Sequence, residues 1–212
     1  MLIRLLIWTL VPLLARTQEK MRVACVGDSI TFGACVADRE KNCYPAVLGG
    51  LLGDKSDVRN FGVNGATLLR KGDNPWWKQK AFTDATDFNP NVVVIKLGSN
   101  DTKPQNWKNK AEFEADYRAL IQHFKGLPAK PKVYVALPVP VLKPNFGINK
   151  EAAAEQQPLL LKIAKEEGCP VIDLFAAVAT KDLFDNDGIH PNAAGAKKIA
   201  EAVAAALREK KK

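Results

Sequence analysis

Metal-binding motifs, internal repeats and low-complexity segments are all missing from this sequence of 212 residues. The two histidines are far apart in the chain, and the four cysteines include no Cys-x-x-Cys pair, so the spacing typical of a structural metal site does not occur. Neither a repeat of solenoid length nor a linker divides the chain. We therefore expect one globular domain and no metal or other cofactor.

A strong excess of charge of one sign is missing too. The formal net charge is +8, from 31 lysines and arginines against 23 acidic residues, and part of that excess is a lysine tail at 210–212. The remaining basic residues are spread along the chain and are not interleaved with aromatic residues. We interpret them as solvated faces, and nucleic acid is not expected as a partner.

A long apolar run occurs at the N-terminus, where Arg4 precedes residues 5–15. The run is too short to span a bilayer comfortably and is typical of a signal peptide. We predict a signal peptide over residues 1–17, cleaved after Ala15 or Thr17, and a single exported domain over 18–212, periplasmic or extracellular. An uncleaved anchor is the alternative; after cleavage no stable membrane insertion is expected.

The cysteines allow two interpretations in an exported protein. Cys35 and Cys43 follow the first predicted strand closely and can form a short disulfide if the fold brings them together. Cys25 and Cys169 lie in or beside apolar runs, which predicts small buried side chains.

Short apolar runs alternate with longer segments of helical periodicity, as in a parallel sheet with crossover helices. Strands are predicted at 22–26, 57–61, 91–97, 132–137 and 170–174. Helices are predicted at 44–52, at 111–124, at 150–167 with a kink or restart at Pro158, and from a first-turn Pro191 onwards. The predicted fold class is α/β, with a five-stranded parallel sheet in a three-layer, doubly wound arrangement that binds ligands at the carboxyl ends of its strands.

Four polar, glycine-containing turns follow predicted strands or precede the last helix. They are Gly27-Asp28-Ser29, Gly62-Val63-Asn64-Gly65, Gly98-Ser99-Asn100-Asp101 and Asp187-Gly188-Ile189-His190. Each alone fits a helix cap or a tight turn. Together, in this fold class, they are expected to meet at one edge of the sheet.

The chemistry of these turns is complementary. A serine hydroxyl needs a base, a group that orients the base, and donors for the developing oxyanion. His190 lies three residues after Asp187 and can act as that base for Ser29. The backbone N–H groups of Ser29 and Gly65 and the side-chain amide of Asn100 can donate hydrogen bonds to the oxyanion. His123 lies within a predicted helix with no such turn, so we expect it to have a packing or surface role.

These four blocks resemble those of the SGNH hydrolase superfamily, the GDSL-type esterases and lipases, and the resemblance extends from about residue 21 to the last helix. It implies a flavodoxin-like SGNH hydrolase fold and a serine esterase without cofactors. It also implies roles for five residues: Ser29 as nucleophile, His190 as base, Asp187 as its orienting acid, and Ser29, Gly65 and Asn100 as the oxyanion hole.

Aromatic side chains follow the second and third turns and occur in the loop at 138–149. Trp76, Trp77, Trp107 and Phe146 are candidates for substrate binding, because aromatic faces stack on sugars; for the tryptophans, packing of loops onto helices is the alternative. The third turn with its Lys-Pro-Gln-Asn-Trp extension resembles carbohydrate O-acetylesterases, including sialate O-acetylesterase-like and acetylxylan esterase-like members.

The expected function is hydrolysis of O-acyl esters, most simply O-acetyl esters, on a small-molecule or glycan substrate through an acyl-enzyme intermediate. The first alternative is a lysophospholipase or thioesterase in which residues 138–146 cover a longer acyl chain. The second is a glycan-binding module without catalytic activity.

Overall fold

The computed structural model describes residues 19–209. The predicted signal peptide therefore lies outside the described residues. Within 19–209, no helix has both the length and the hydropathy needed to cross a bilayer.

Five parallel strands form one sheet in the order β2-β1-β3-β4-β5. The strands are β1 (Met21–Gly27), β2 (Ser56–Gly62), β3 (Val92–Lys96), β4 (Lys132–Ala136) and β5 (Val171–Ile172). This order is that of flavodoxin-like doubly wound folds. The predicted fold class is confirmed.

Nine α-helices connect or follow the strands within the described part of the chain. They are α1 (Ser29–Phe32), α2 (Arg39–Asn42), α3 (Tyr44–Leu52), α4 (Lys80–Asp87), α5 (Pro104–Trp107), α6 (Phe113–Lys125), α7 (Lys150–Glu166), α8 (Leu174–Ala177) and α9 (Ala193–Arg208). One face of the sheet packs against α4, α6 and α7, and the other against α3 and α9. Because both faces are covered, β3 is buried along its whole length.

Most predicted elements lie within one or two residues of their observed bounds, and three differ in a way that has a physical cause. Helix α7 continues through Pro158 without a restart: Pro158 and Ala154, whose carbonyl loses its helical partner, are both exposed, so water can solvate that carbonyl. Strand β5 is shorter than predicted because Asp173 caps α8 by accepting the Ala176 N–H. Pro191 precedes α9 instead of lying in its first turn, since Asn192 is the capping residue.

The cysteines are all free. Cys25 and Cys169 are buried as predicted, and the disulfide that the sequence allowed between Cys35 and Cys43 is not formed. Cys43 is buried with its sulfur 3.6 Å from Asn60 Nδ2, whereas the exposed Cys35 thiol lies 3.7 Å from Asp187 Oδ2. The two side chains therefore have different neighbours.

Candidate active site

Ser29 lies at the carboxyl end of β1, at the first position of helix α1. Asp28 caps this short helix, because its Oδ1 accepts the Ile30 N–H at 3.0 Å. A Cβ atom on Gly27 would lie 2.0 Å from Thr31 Oγ1, so the turn can close this tightly only with glycine at that position. Asp28 therefore supports the turn that carries Ser29.

Asp28 also forms a buried ion pair that the sequence does not reveal. Lys96, the last residue of β3, is 1% exposed, and its Nζ donates to both oxygens of Asp28 at 3.1 and 3.0 Å. The same ammonium donates to Ser99 Oγ at 2.6 Å. Lys96 thereby joins the turn that carries Ser29 to the turn that carries Asn100.

His190 lies between Ser29 and Asp187. Its Nε2 is 2.9 Å from Ser29 Oγ, and its Nδ1 is 2.6 Å from Asp187 Oδ2. The other oxygen of Asp187 accepts the backbone N–H groups of Ile189 at 2.7 Å and His190 at 2.9 Å. Burial opposes ionisation of Asp187, but these hydrogen bonds outweigh it and lower the pKa of its carboxyl. The carboxylate is thus held ionised and aimed at the ring.

The loop between β4 and α7 forms two hydrogen bonds to the turn at 187–190. The side-chain amide of Asn145 donates to the Asp187 carbonyl at 3.2 Å, and the Leu142 N–H donates to the Gly188 carbonyl at 3.0 Å. Gly188 has φ = +72°, a conformation that favours glycine. The sequence of this loop is aperiodic and carries no signal for its long-range contacts, so its role in positioning His190 is visible only in the structure.

The four polar turns line one cleft of about 240 Å³. Its walls are formed by Ser29, Ala34, Asn64, Gly65, Asn100, Lys103, Phe146, Ile148 and His190. The structure thus brings together the residues predicted as nucleophile, base and oxyanion donors. Gly65 has φ = +75°, and Asn100, only 4% exposed, donates one amide hydrogen to the Ala66 carbonyl at 3.1 Å.

A buried carboxylate supports the Gly65 loop. Asp101 is fully buried and accepts the backbone N–H groups of Leu68 at 2.9 Å and Leu69 at 2.7 Å. Burial is the largest influence on this group and raises the pKa of Asp101 to about 7. Its hydrogen bonds connect the segment that follows the second turn to the third turn, a further link that sequence spacing did not reveal.

Among the aromatic candidates, Phe146 lines the cleft. Its side chain is 58% exposed and its ring centroid lies 5.7 Å from that of His190. The prediction for Trp76 is wrong: this side chain is fully buried in the core, and its indole N–H donates to the Phe61 carbonyl at 3.0 Å. A residue closed off by the core has no face for a substrate.

Trp77 and Trp107 are partly buried and lie outside the walls of this cleft. The indole N–H of Trp77 donates to the Leu68 carbonyl, and the Arg70 guanidinium stacks on its ring at 4.0 Å. The indole N–H of Trp107 donates to a carboxylate oxygen of Glu155 at 3.0 Å. The packing alternative describes both side chains.

His123 has the packing role expected for it. Its Nε2 is 2.8 Å from Thr86 Oγ1, and its ring lies against Phe82 with the centroids 4.6 Å apart. Burial lowers the pKa of its imidazole. His123 does not line the cleft and is therefore not a second candidate base.

Residues 25–198 match the sequence model of the GDSL-like Lipase/Acylhydrolase family. The chain is 41% identical to an acetylxylan esterase from Xylanibacter ruminicola over 213 aligned residues, which cover 92% of this chain and 44% of that protein. The chain therefore spans less than half the length of this relative.

Two solved structures have the same fold. A carbohydrate acetylesterase from Sinorhizobium meliloti superposes with a TM-score of 0.74 at 22% identity, covering 89% of this chain and 98% of that one. An aryl esterase from M. smegmatis superposes with a TM-score of 0.73 at 21% identity, with the same coverage of 89% and 98%. At these identities the likeness concerns the fold alone.

Proposed function

Because this chain belongs to the GDSL-like lipase/acylhydrolase family, we propose that it is a serine esterase that removes O-acetyl groups from carbohydrates. The observation that carries the proposal is the contact of 2.9 Å between Ser29 Oγ and His190 Nε2, with Nδ1 of the same ring 2.6 Å from Asp187. This is the arrangement of a nucleophile, its base and the acid that orients the base. The 41% identity to an acetylxylan esterase supports the acetyl ester of a sugar as the substrate.

In the first half of the reaction, Ser29 Oγ attacks the ester carbonyl carbon while His190 Nε2 takes the hydroxyl proton. The carboxylate of Asp187 holds Nδ1–H and stabilises the imidazolium that forms. The carbon–oxygen bond to the sugar then breaks, and His190 returns the proton to the sugar oxygen. The acetyl group remains on Ser29.

The negative charge on the carbonyl oxygen needs donors that are already in place. The backbone N–H groups of Ser29 and Gly65 and the side-chain amide of Asn100 are assigned this role, since all three residues line the same cleft. The Ala66 carbonyl holds the Asn100 amide in position. Fixed donors avoid the cost of reorganisation when the charge develops.

In the second half, water enters the position vacated by the sugar. His190 removes a proton from the water, which attacks the acetyl carbon; the Ser29–acyl bond then breaks, His190 returns the proton to Ser29 Oγ, and acetate is released. The same base and the same donors therefore serve both steps, and no cofactor takes part in this mechanism.

The size of the cleft favours a short acyl group. Its volume of about 240 Å³ includes the space next to Ser29, and Ile148 and Ala34 form apolar walls. Pockets for drug-sized ligands begin at roughly 300 Å³. An acetyl group attached to a sugar outside the cleft fits this space.

A second candidate function, hydrolysis of longer acyl esters, has one observation in its favour. A neighbouring cavity of about 290 Å³ is lined mainly by apolar residues of the β4–α7 loop and α7, with Phe175 at its edge. An acyl chain that left the cleft along this loop would find an apolar surface. Acyl-chain length therefore separates the two functions.

The experiment is a panel of esters with acyl chains of increasing length, together with acetylated xylan and acetylated sialic acid, tested on the purified protein and on Ser29→Ala. We expect the highest kcat/KM for acetyl esters, acetate release from an acetylated glycan, and loss of turnover in Ser29→Ala with an unchanged Tm. Preference for long chains would favour the second candidate, and full activity of Ser29→Ala would contradict the assigned nucleophile. Binding of the glycan without turnover in the unmodified protein would instead support a binding module.

We also propose that residues 1–17 direct export and that residues 18–212 form the catalytic domain. The support is the apolar run behind Arg4 in the sequence. Mass spectrometry of the protein recovered from outside the cytoplasm tests it, because cleavage at the predicted site leaves an N-terminus at residue 16 or 18.

A further inference from the structure

Three potential metal ligands meet at the proposed triad, and two of them belong to it. They are the Cys35 thiol, the Asp187 carboxylate and the His190 imidazole, and their ligand atoms lie within 4.8 Å of one another. Cys35 is 152 residues from Asp187 in the chain and is the exposed member of the three. An ion can therefore reach this cluster from solvent.

The spacing of sulfur and oxygen suits zinc. A tetrahedral zinc ion about 2.3 Å from a thiolate and about 2.1 Å from a carboxylate oxygen keeps these two atoms about 3.6 Å apart. The observed distance from Cys35 Sγ to Asp187 Oδ2 is 3.7 Å. Zinc can bridge these two atoms with almost no movement of either side chain.

The surrounding charge also favours a cation. Burial and then the negative charges of Asp187 and Asp185 raise the pKa of the Cys35 thiol to about 11, so zinc must displace the thiol proton, while the same negative charges attract the cation. Thiolate, imidazole and carboxylate together form a donor set that binds zinc in preference to hard cations such as magnesium.

We propose that Cys35, Asp187 and His190 bind a zinc ion, and that the protein with zinc bound is catalytically inactive. The ion replaces the proton of the Cys35 thiol and binds a carboxylate oxygen of Asp187. No electron is transferred, and the displaced proton goes to solvent.

Inactivation follows from the geometry of His190. Its Nδ1 is 2.6 Å from Asp187 Oδ2, whereas two ligands of one tetrahedral zinc ion lie about 3.4 Å apart. For Nδ1 to bind the ion, it must lose its proton to solvent and move away from Asp187. The ring then has neither its orienting hydrogen bond nor a free Nδ1 position, so it cannot assist Ser29.

Binding is tested first, without reference to turnover. Calorimetric titration of the purified protein with ZnCl₂ in a chelator-free buffer should show one site, and Co²⁺ in place of zinc should give a thiolate-to-cobalt charge-transfer band. Cys35→Ser should lose the band and weaken zinc binding by at least about tenfold, as expected for the loss of a ligand. Cys169→Ser, at the opposite edge of the sheet, should behave like the unmodified protein; equal zinc affinity in Cys35→Ser would overturn the site.

Inhibition is tested separately, on a small acetyl ester, with each variant compared with its own zinc-free rate. Zinc should inhibit the unmodified protein and Cys169→Ser, EDTA should restore the rate, and Mg²⁺ should have no effect. Cys35→Ser should need at least about tenfold more zinc for the same inhibition. Zinc binding through Cys35 without loss of rate would overturn the inhibitory role. If the protein hydrolysed no ester at all, the proposed function would fail while the calorimetry still tested the site.

Discussion

Lys96 and Asp28 form an ion pair in which both side chains are almost completely buried, directly beside the turn that carries Ser29. Removal of one partner leaves an unpaired buried charge, which costs about 3–5 kcal/mol. We therefore expect Lys96→Met to lower the free energy of unfolding by about that amount, measured by urea denaturation. Lys108→Met, at an exposed position, is the control and should change it little.

The double variant Lys96→Met/Asp28→Asn checks the cause. Replacing both charges removes the unpaired carboxylate, so part of the lost stability should return, although the Ser99 hydroxyl still loses its partner. If Lys96→Met were as stable as the unmodified protein, the ion pair would not be buried as described.

Asn100→Ala tests the oxyanion donors. Loss of one preorganised donor lowers kcat by about 10²–10³ in serine hydrolases. We expect a fall of this size with little change in KM, because the donor acts mainly in the transition state. Since the same amide holds the Ala66 carbonyl, the Tm should be measured in parallel; a large loss of Tm with the loss of kcat would point to a structural effect instead.

Asp187→Asn should lower kcat by about 10⁴, because the amide stabilises the wrong tautomer of His190. The variant also tests the lowered pKa of Asp187. A carboxyl whose pKa is lower in the folded state stabilises the fold above its unfolded pKa, near 3.9, and loses that contribution as the pH falls through the folded value.

The difference in free energy of unfolding between Asp187→Asn and the unmodified protein should therefore be largest at neutral pH. It should disappear in acid, below the ordinary pKa of aspartate. Urea denaturation at several pH values measures it. Asp185→Asn, in the same segment, is the control for kcat. Equal losses of kcat in both variants would remove the special role of Asp187.

The parts of this site that sequence predicts are those that depend on local pattern and topology. Strands buried on both faces give continuous apolar runs, and the carboxyl ends of parallel strands share one edge, so the turns with Ser29, Asn100 and His190 could be brought together from sequence. Lys96 could not be found this way, because its partner Asp28 is 68 residues away and lysine is ordinarily exposed.

The same limit applies to the aromatic residues and to Cys35. Whether Trp76 or Phe146 is buried depends on tertiary packing, and neither composition nor spacing distinguishes a core indole from a cleft residue. The sequence left a disulfide between Cys35 and Cys43 open, and only the fold places the Cys35 thiol beside Asp187.

Trp76 and Phe146 form a matched pair for the last prediction. Trp76→Ala removes a fully buried side chain and its hydrogen bond to Phe61, so it should lower the free energy of unfolding by about 3–5 kcal/mol. Phe146→Ala removes a mostly exposed ring and should change stability by less than about 1 kcal/mol. Because this ring lines the cleft beside His190, its loss should raise KM for an acetylated glycan more than for a small acetyl ester. Thermal unfolding and kinetics on the two substrates separate these effects, and an unchanged KM in Phe146→Ala for both substrates would show that the ring does not contact the sugar.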